Sequence, residues 1–109
     1  MKQEVIYPDW NTKAFCLKKK IGDLTEYELF SYSTWICLYQ EWVTKEGNVQ
    51  RAIRFNDEPY QASRTTARHL SWFFANFVAY NIVKDVTNDW NKSYVKILCE
   101  APSKVYTVK

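Results

Sequence analysis

Glycine occurs only twice in the 109 residues, at Gly22 and Gly47. A phosphate-cradling loop of the P-loop or dinucleotide type needs several glycines close together, so the sequence excludes both. Histidine occurs once, as His69, and no Cys-x-x-Cys pair is present. Cys16, Cys37 and Cys99 are odd in number, widely spaced and embedded in the apolar stretches "AFCL", "WICLY" and "KILCE". That pattern predicts reduced, buried thiols, with no metal site and no cofactor. No apolar run approaches the roughly 20 residues that span a bilayer, and "MKQEVIYPDW" lacks the apolar stretch of a signal peptide. The expectation is a cytoplasmic chain with no membrane partner.

What is present points to a folded domain. Hydrophobic residues make up 47% and aromatics 17%, enough to set disorder aside and to build one core from the whole chain, 1–109. Fifteen basic against twelve acidic residues leave a net charge of +3, which permits an acidic partner without demanding one. The prolines, Pro8, Pro59 and Pro102, fall at segment ends.

The first half of the chain reads as strands. "TKAFCLK" (12–18) precedes a turn at "KKIGD", an extended segment rich in β-branched and aromatic residues runs from about Leu24 to Val43, and Glu46-Gly47-Asn48 turns the chain into Val49–Asn56. Pairing with an odd position sum, 93 or 95, places Ile36, Leu38 and Trp42 on the core face with Val49, Ile53 and Phe55. Trp35, Cys37, Tyr39, Ala52 and Arg54 then share the outer face. After a loop at "NDEP" (56–59) the period changes: Leu70, Phe73, Phe74, Phe77 and Val78 recur at helical spacing, with Ser63 or Thr65 as the cap. The spacing predicts one main helix over about 64–82. "SYVKILCE" (93–100) and "KVYTVK" (104–109) read as closing strands. The predicted fold is α+β, an antiparallel sheet with one amphipathic helix across it.

Nucleophilic catalysis would have to use His69, with Thr65 and Thr66 in reach on the helix and no acidic residue within a turn to orient the ring. The sequence therefore reads as a non-enzyme. At about 100° per residue Arg64, Arg68 and Trp72 form a stripe opposite the apolar face, with His69 at its border. Tryptophan and arginine carry much of the energy of protein interfaces, so this stripe is the expected partner-binding surface. Trp72 packed beneath the N-terminal segment is the competing reading, and the same face suits a contact between two copies of the chain. Lys18, Lys19 and Lys20, with Trp35, Tyr39 and Arg54, are the candidates for contact with nucleic acid or an acidic partner.

"YELFSYSTWICLY" followed by "YQASRTTARHLSWFF" resembles a pattern in short bacteriophage-encoded proteins, in which Y-E-L-x-S-Y-S-T is followed by Y-S-x-T-T-x-[KR]-H opening a helix. The resemblance covers about residues 26–74. It implies a small accessory protein acting in a bacterial host. The expectation is a binding module that inhibits a host protein, such as an anti-CRISPR or other anti-defence inhibitor, with nucleic-acid binding as the alternative.

Overall fold

The computed structural model describes residues 2–9, 13–56, 64–89, 91–100 and 105–108. It is an α+β structure with strands β1 (Lys2–Ile6), β2 (Ala14–Ile21), β3 (Leu24–Ser31), β4 (Thr34–Val43) and β5 (Val49–Phe55). Helices α1 (Arg64–Phe77), α2 (Tyr80–Asp89) and α3 (Tyr94–Glu100) follow, and strand β6 (Val105–Val108) returns to the sheet. All six strands form one antiparallel sheet in the order β1-β2-β3-β4-β5-β6. The loop expected at 57–59 and Ser63 as cap lie outside the described residues.

The turns set the topology. Gly22, with φ +58°, stands first in the two-residue loop between Ile21 and Leu24, the place where a type II′ turn takes glycine. The segment from Leu24 to Val43 is two strands rather than one, because Tyr32 and Ser33 reverse the chain with φ of 51° and 67°. Two positive φ angles are what a type I′ hairpin demands, and sequences usually meet that demand with Asn-Gly. The amide of Tyr32 donates to the carbonyl of Lys13 at 2.8 Å, so a contact outside the turn helps to hold it.

Register corrects the expected faces. Cys37 pairs with Phe55 and Val43 with Val49, an even position sum. The reason is the loop: the Thr44 amide bonds the Asn48 carbonyl at 2.8 Å, leaving Lys45, Glu46 and Gly47 (φ +84°) as a three-residue turn. An odd loop length flips every side chain relative to the two-residue case. Cys37, Tyr39, Ile53 and Phe55 face the core, while Leu38, Trp42 and Arg54 face away. A bulge adds a second correction: Leu29 pairs with Cys37 but Phe30 with Trp35, so Ile36 is the extra residue. Asn56 holds the bulge by donating from its side chain to the Trp35 carbonyl at 2.7 Å and from its amide to the Ile36 carbonyl at 3.0 Å. Trp35 is thereby turned to the opposite face from Cys37.

The helices cover one face only. Leu70, Phe73 and Phe74 of α1, Ile82 and Val86 of α2, and Ile97 and Leu98 of α3 close on Cys16, Leu29, Tyr39, Ile53 and Phe55. The single helix expected over 64–82 ends at Phe77 and restarts at Tyr80. At the break the Tyr39 hydroxyl accepts from the Ala79 amide at 3.3 Å, a partner that a straight helix would have supplied from its own backbone. The strand expected at 93–100 is helix α3. Ser93 caps it, its hydroxyl accepting from the Lys96 amide at 3.3 Å, and Ile97 and Leu98 are both buried against the core.

Candidate functional site

The lone histidine is a core residue. His69 is fully enclosed, hydrogen-bonded through Nδ1 to the Ser31 hydroxyl at 2.7 Å, and Ser31 in turn lies 3.3 Å from the Thr66 hydroxyl. Ser31 and Thr66 are enclosed as well, and Tyr32 from the adjoining turn lays its ring 5.8 Å from the imidazole. Burial, and then the neighbouring Arg68 cation, lower the pKa of His69 and favour the neutral ring. Helical spacing placed His69 at the border of the stripe; the β3 end and its Tyr32 turn cover that border. His69 is thus not available to touch a partner. Its serine was invisible in the sequence because 38 residues separate the two.

The rest of the stripe stays at the surface. Arg64 and Arg68 are exposed, and Trp72 is half-buried. Trp72 sits edge-on to Phe77 at 5.4 Å and lines a recess of about 430 Å³ with Ile6, Tyr7, Asp9, Asn76 and Phe77. The N-terminal segment therefore forms one wall of a cleft beside Trp72 without covering the tryptophan completely. Tyr7 is 52% exposed at the rim. The Asn76 amide donates to the Trp72 carbonyl at 2.8 Å, and Asp9 contributes a carboxylate. A tryptophan, a tyrosine and a carboxylate line the cleft, and the exposed Arg64 and Arg68 precede Trp72 by two turns and one turn on the same row of α1, so together they form an amphipathic surface. Tyr7, Asp9 and Asn76 escaped the sequence reading: Asn76 continues the i, i+4 row of Arg64, Arg68 and Trp72, and the first two lie ahead of the first strand expected, at 12–18.

The second candidate set is divided between two faces of the sheet. Lys19, Trp35 and Arg54 belong to the face away from the helices, with Phe15 and Phe30 stacked at 4.9 Å. Lys18 and Lys20 alternate to the other face and line a groove of about 550 Å³ with Lys2, Gln3 and Glu4. Tyr39 is fully buried, its hydroxyl donating to Glu41 at 2.8 Å, so it cannot stack on a base. On the open face Glu28 takes an ion pair from Lys19 at 3.3 Å and a hydrogen bond from the Trp35 indole at 3.0 Å.

Among the described residues no three His, Cys, Asp or Glu side chains lie close enough to hold a metal ion, and no helix is long and apolar enough to cross a membrane. Cys16 and Cys37 are buried; desolvation pushes the Cys16 thiol up to about 12 and Cys37 higher than its ordinary value.

The fold is an α+β one, an antiparallel meander with helices on one face and a cleft where the N-terminal segment meets α1. The chain belongs to the family of unknown function DUF8033, whose model matches residues 1–92. No curated protein and no solved structure matches it.

Proposed function

We propose that this chain is a non-enzymatic binding module that engages and inhibits a bacterial host protein, acting in the host cytoplasm as a phage-type accessory factor. An anti-CRISPR or other anti-defence inhibitor is the most concrete form of this reading. The observation that carries it is the cleft beside Trp72, where Tyr7, Asp9 and Asn76 surround the indole and Arg64 and Arg68 extend the surface along α1. Such a surface offers an aromatic anchor in a partly desolvated recess with two arginines further along the same helix row, residue types that dominate interface hot spots. The enclosure of His69 and Ser31 favours a structural use of the one imidazole over a catalytic one.

The nucleic-acid alternative has less support. Tyr39 is in the core, the lysines are split between faces, and the Glu28 carboxylate sits on the Trp35 indole, which disfavours an approaching phosphate. Two assays separate the readings: retention of a bacterial protein on the immobilised chain, and titration of a labelled single-stranded oligonucleotide at low and high salt. The proposal expects a retained protein and no oligonucleotide binding. Oligonucleotide binding that falls steeply with salt would overturn it, since such a slope reports neutralised phosphates.

A further inference from the structure

The face of the sheet opposite the helices is not covered by any described element, and its chemistry is unusual for a solvated face. Antiparallel sheets packed on one side normally turn polar residues outward. Here Phe15, Phe30 and Trp35 form one row across β2, β3 and β4, and Leu24 pairs with Trp42 in another at the far end. Leu38 lies between these rows on β4. These six side chains are half-buried with no described element over them, and apolar side chains grouped on an open face point to an interaction site.

The polar groups on the face are matched to one another. Lys19 pairs with Glu28, the Trp35 indole donates to Glu28, and the Gln40 side-chain amide donates to Glu26 at 2.7 Å. Lys19 and Arg54 balance Glu26 and Glu28, so the face carries no net charge. A polyanion or a strongly charged protein surface gains nothing from it. An occupant must be flat, largely apolar and neutral, and the same face of a second copy has each of those properties. Its size also fits: five strands about 4.8 Å apart and about seven residues long present on the order of 600 Å² in projection, near the ~800 Å² each partner contributes to a stable interface.

We infer that two copies of this chain associate through their open sheet faces. The product is a two-layer sandwich with sheets about 10 Å apart and the helices on the outside. Trp72, Arg64 and Arg68 lie on the helix side, away from this contact, and Tyr7 joins the two surfaces, its ring 5.9 Å from Phe15.

Sedimentation equilibrium over a protein range of roughly 1–100 μM, a span that covers dissociation energies near 6–8 kcal/mol, tests the inference. The wild type is expected to approach twice the 13.0 kDa of the chain. Leu17→Lys sets an ammonium directly opposite Glu28, which suits the isolated sheet, but it buries a charge between two copies. It should raise the dimer Kd at least about 100-fold, because the added ammonium ends the charge balance of the face and both copies must desolvate it. If Leu17→Lys does not fold by circular dichroism, Leu38→Gln serves in its place and must also lower the mass. Arg68→Glu, on the helix side, should leave the mass unchanged. A wild type that stays monomeric throughout, a folded open-face variant that stays dimeric, or a dimer abolished by Arg68→Glu would each overturn the inference.

Discussion

His69 Nδ1 and the Ser31 hydroxyl lie 2.7 Å apart with both side chains fully enclosed, so helix α1 is tied to the end of β3 by a buried hydrogen bond. Ser31→Ala removes the hydroxyl that both His69 and Thr66 approach. The expected cost is about 1–3 kcal/mol, the range for a lost buried hydrogen bond, read as a lower urea midpoint at unchanged slope.

The same pair makes stability depend on pH. Burial lowers the pKa of His69 in the folded state below its ordinary 6.5, so the unfolded chain binds the proton more readily. The contribution is complete above pH 6.5 and is lost as pH falls through the lower folded value. Urea titrations stepped downward from pH 7 should show this loss, and His69→Gln should flatten that part of the profile while lowering stability overall.

The Tyr39 hydroxyl joins three elements: it donates to Glu41, which also pairs with Arg51 at 2.9 Å, and it accepts from the Ala79 amide between α1 and α2. Tyr39→Phe keeps the ring in the core and deletes this junction. A loss of about 1–2 kcal/mol is expected, with faster amide exchange at Ala79 as its local signature.

Buried thiols with raised pKa values are poor nucleophiles. Cys16 and Cys37 should resist iodoacetamide in the native protein at pH 8 and react once urea unfolds it, as peptide mapping would show.

The apolar stripe of α1 was legible because helical spacing is a local property: Leu70, Phe73 and Phe74 are all in the core. The α+β class was legible for the same reason. What escaped depends on contacts between distant residues or on turns without their usual residues. Tyr32-Ser33 adopts left-handed geometry without glycine, so β3 and β4 read as one segment. The three-residue loop before Asn48 and the bulge at Ile36 together decide which face Trp35, Leu38 and Tyr39 occupy, and neither has a clear mark in composition. The α1–α2 break follows from Tyr39, 40 residues upstream of Ala79, with no glycine or proline to announce it. Two overlooked signals were local, the Ser93 cap of α3 and Asn76 one turn beyond Trp72 on the same helix row. Of the helix stripe, spacing found Arg64, Arg68 and Trp72 but could not supply Tyr7 and Asp9, which reach the cleft through the pairing of β1 with β2.

The binding reading is tested most directly by quantitative capture from bacterial lysate with three forms of the chain side by side. These are the wild type, the double reversal Arg64→Glu/Arg68→Glu, and Lys45→Glu at the exposed hairpin tip as a control. The account predicts one bacterial protein retained near stoichiometrically by the wild type and by Lys45→Glu. The double reversal should cut that retention at least about tenfold, as expected for interface arginines, while remaining folded by circular dichroism. Equal retention by the folded double variant, or no protein retained by the wild type, would contradict it.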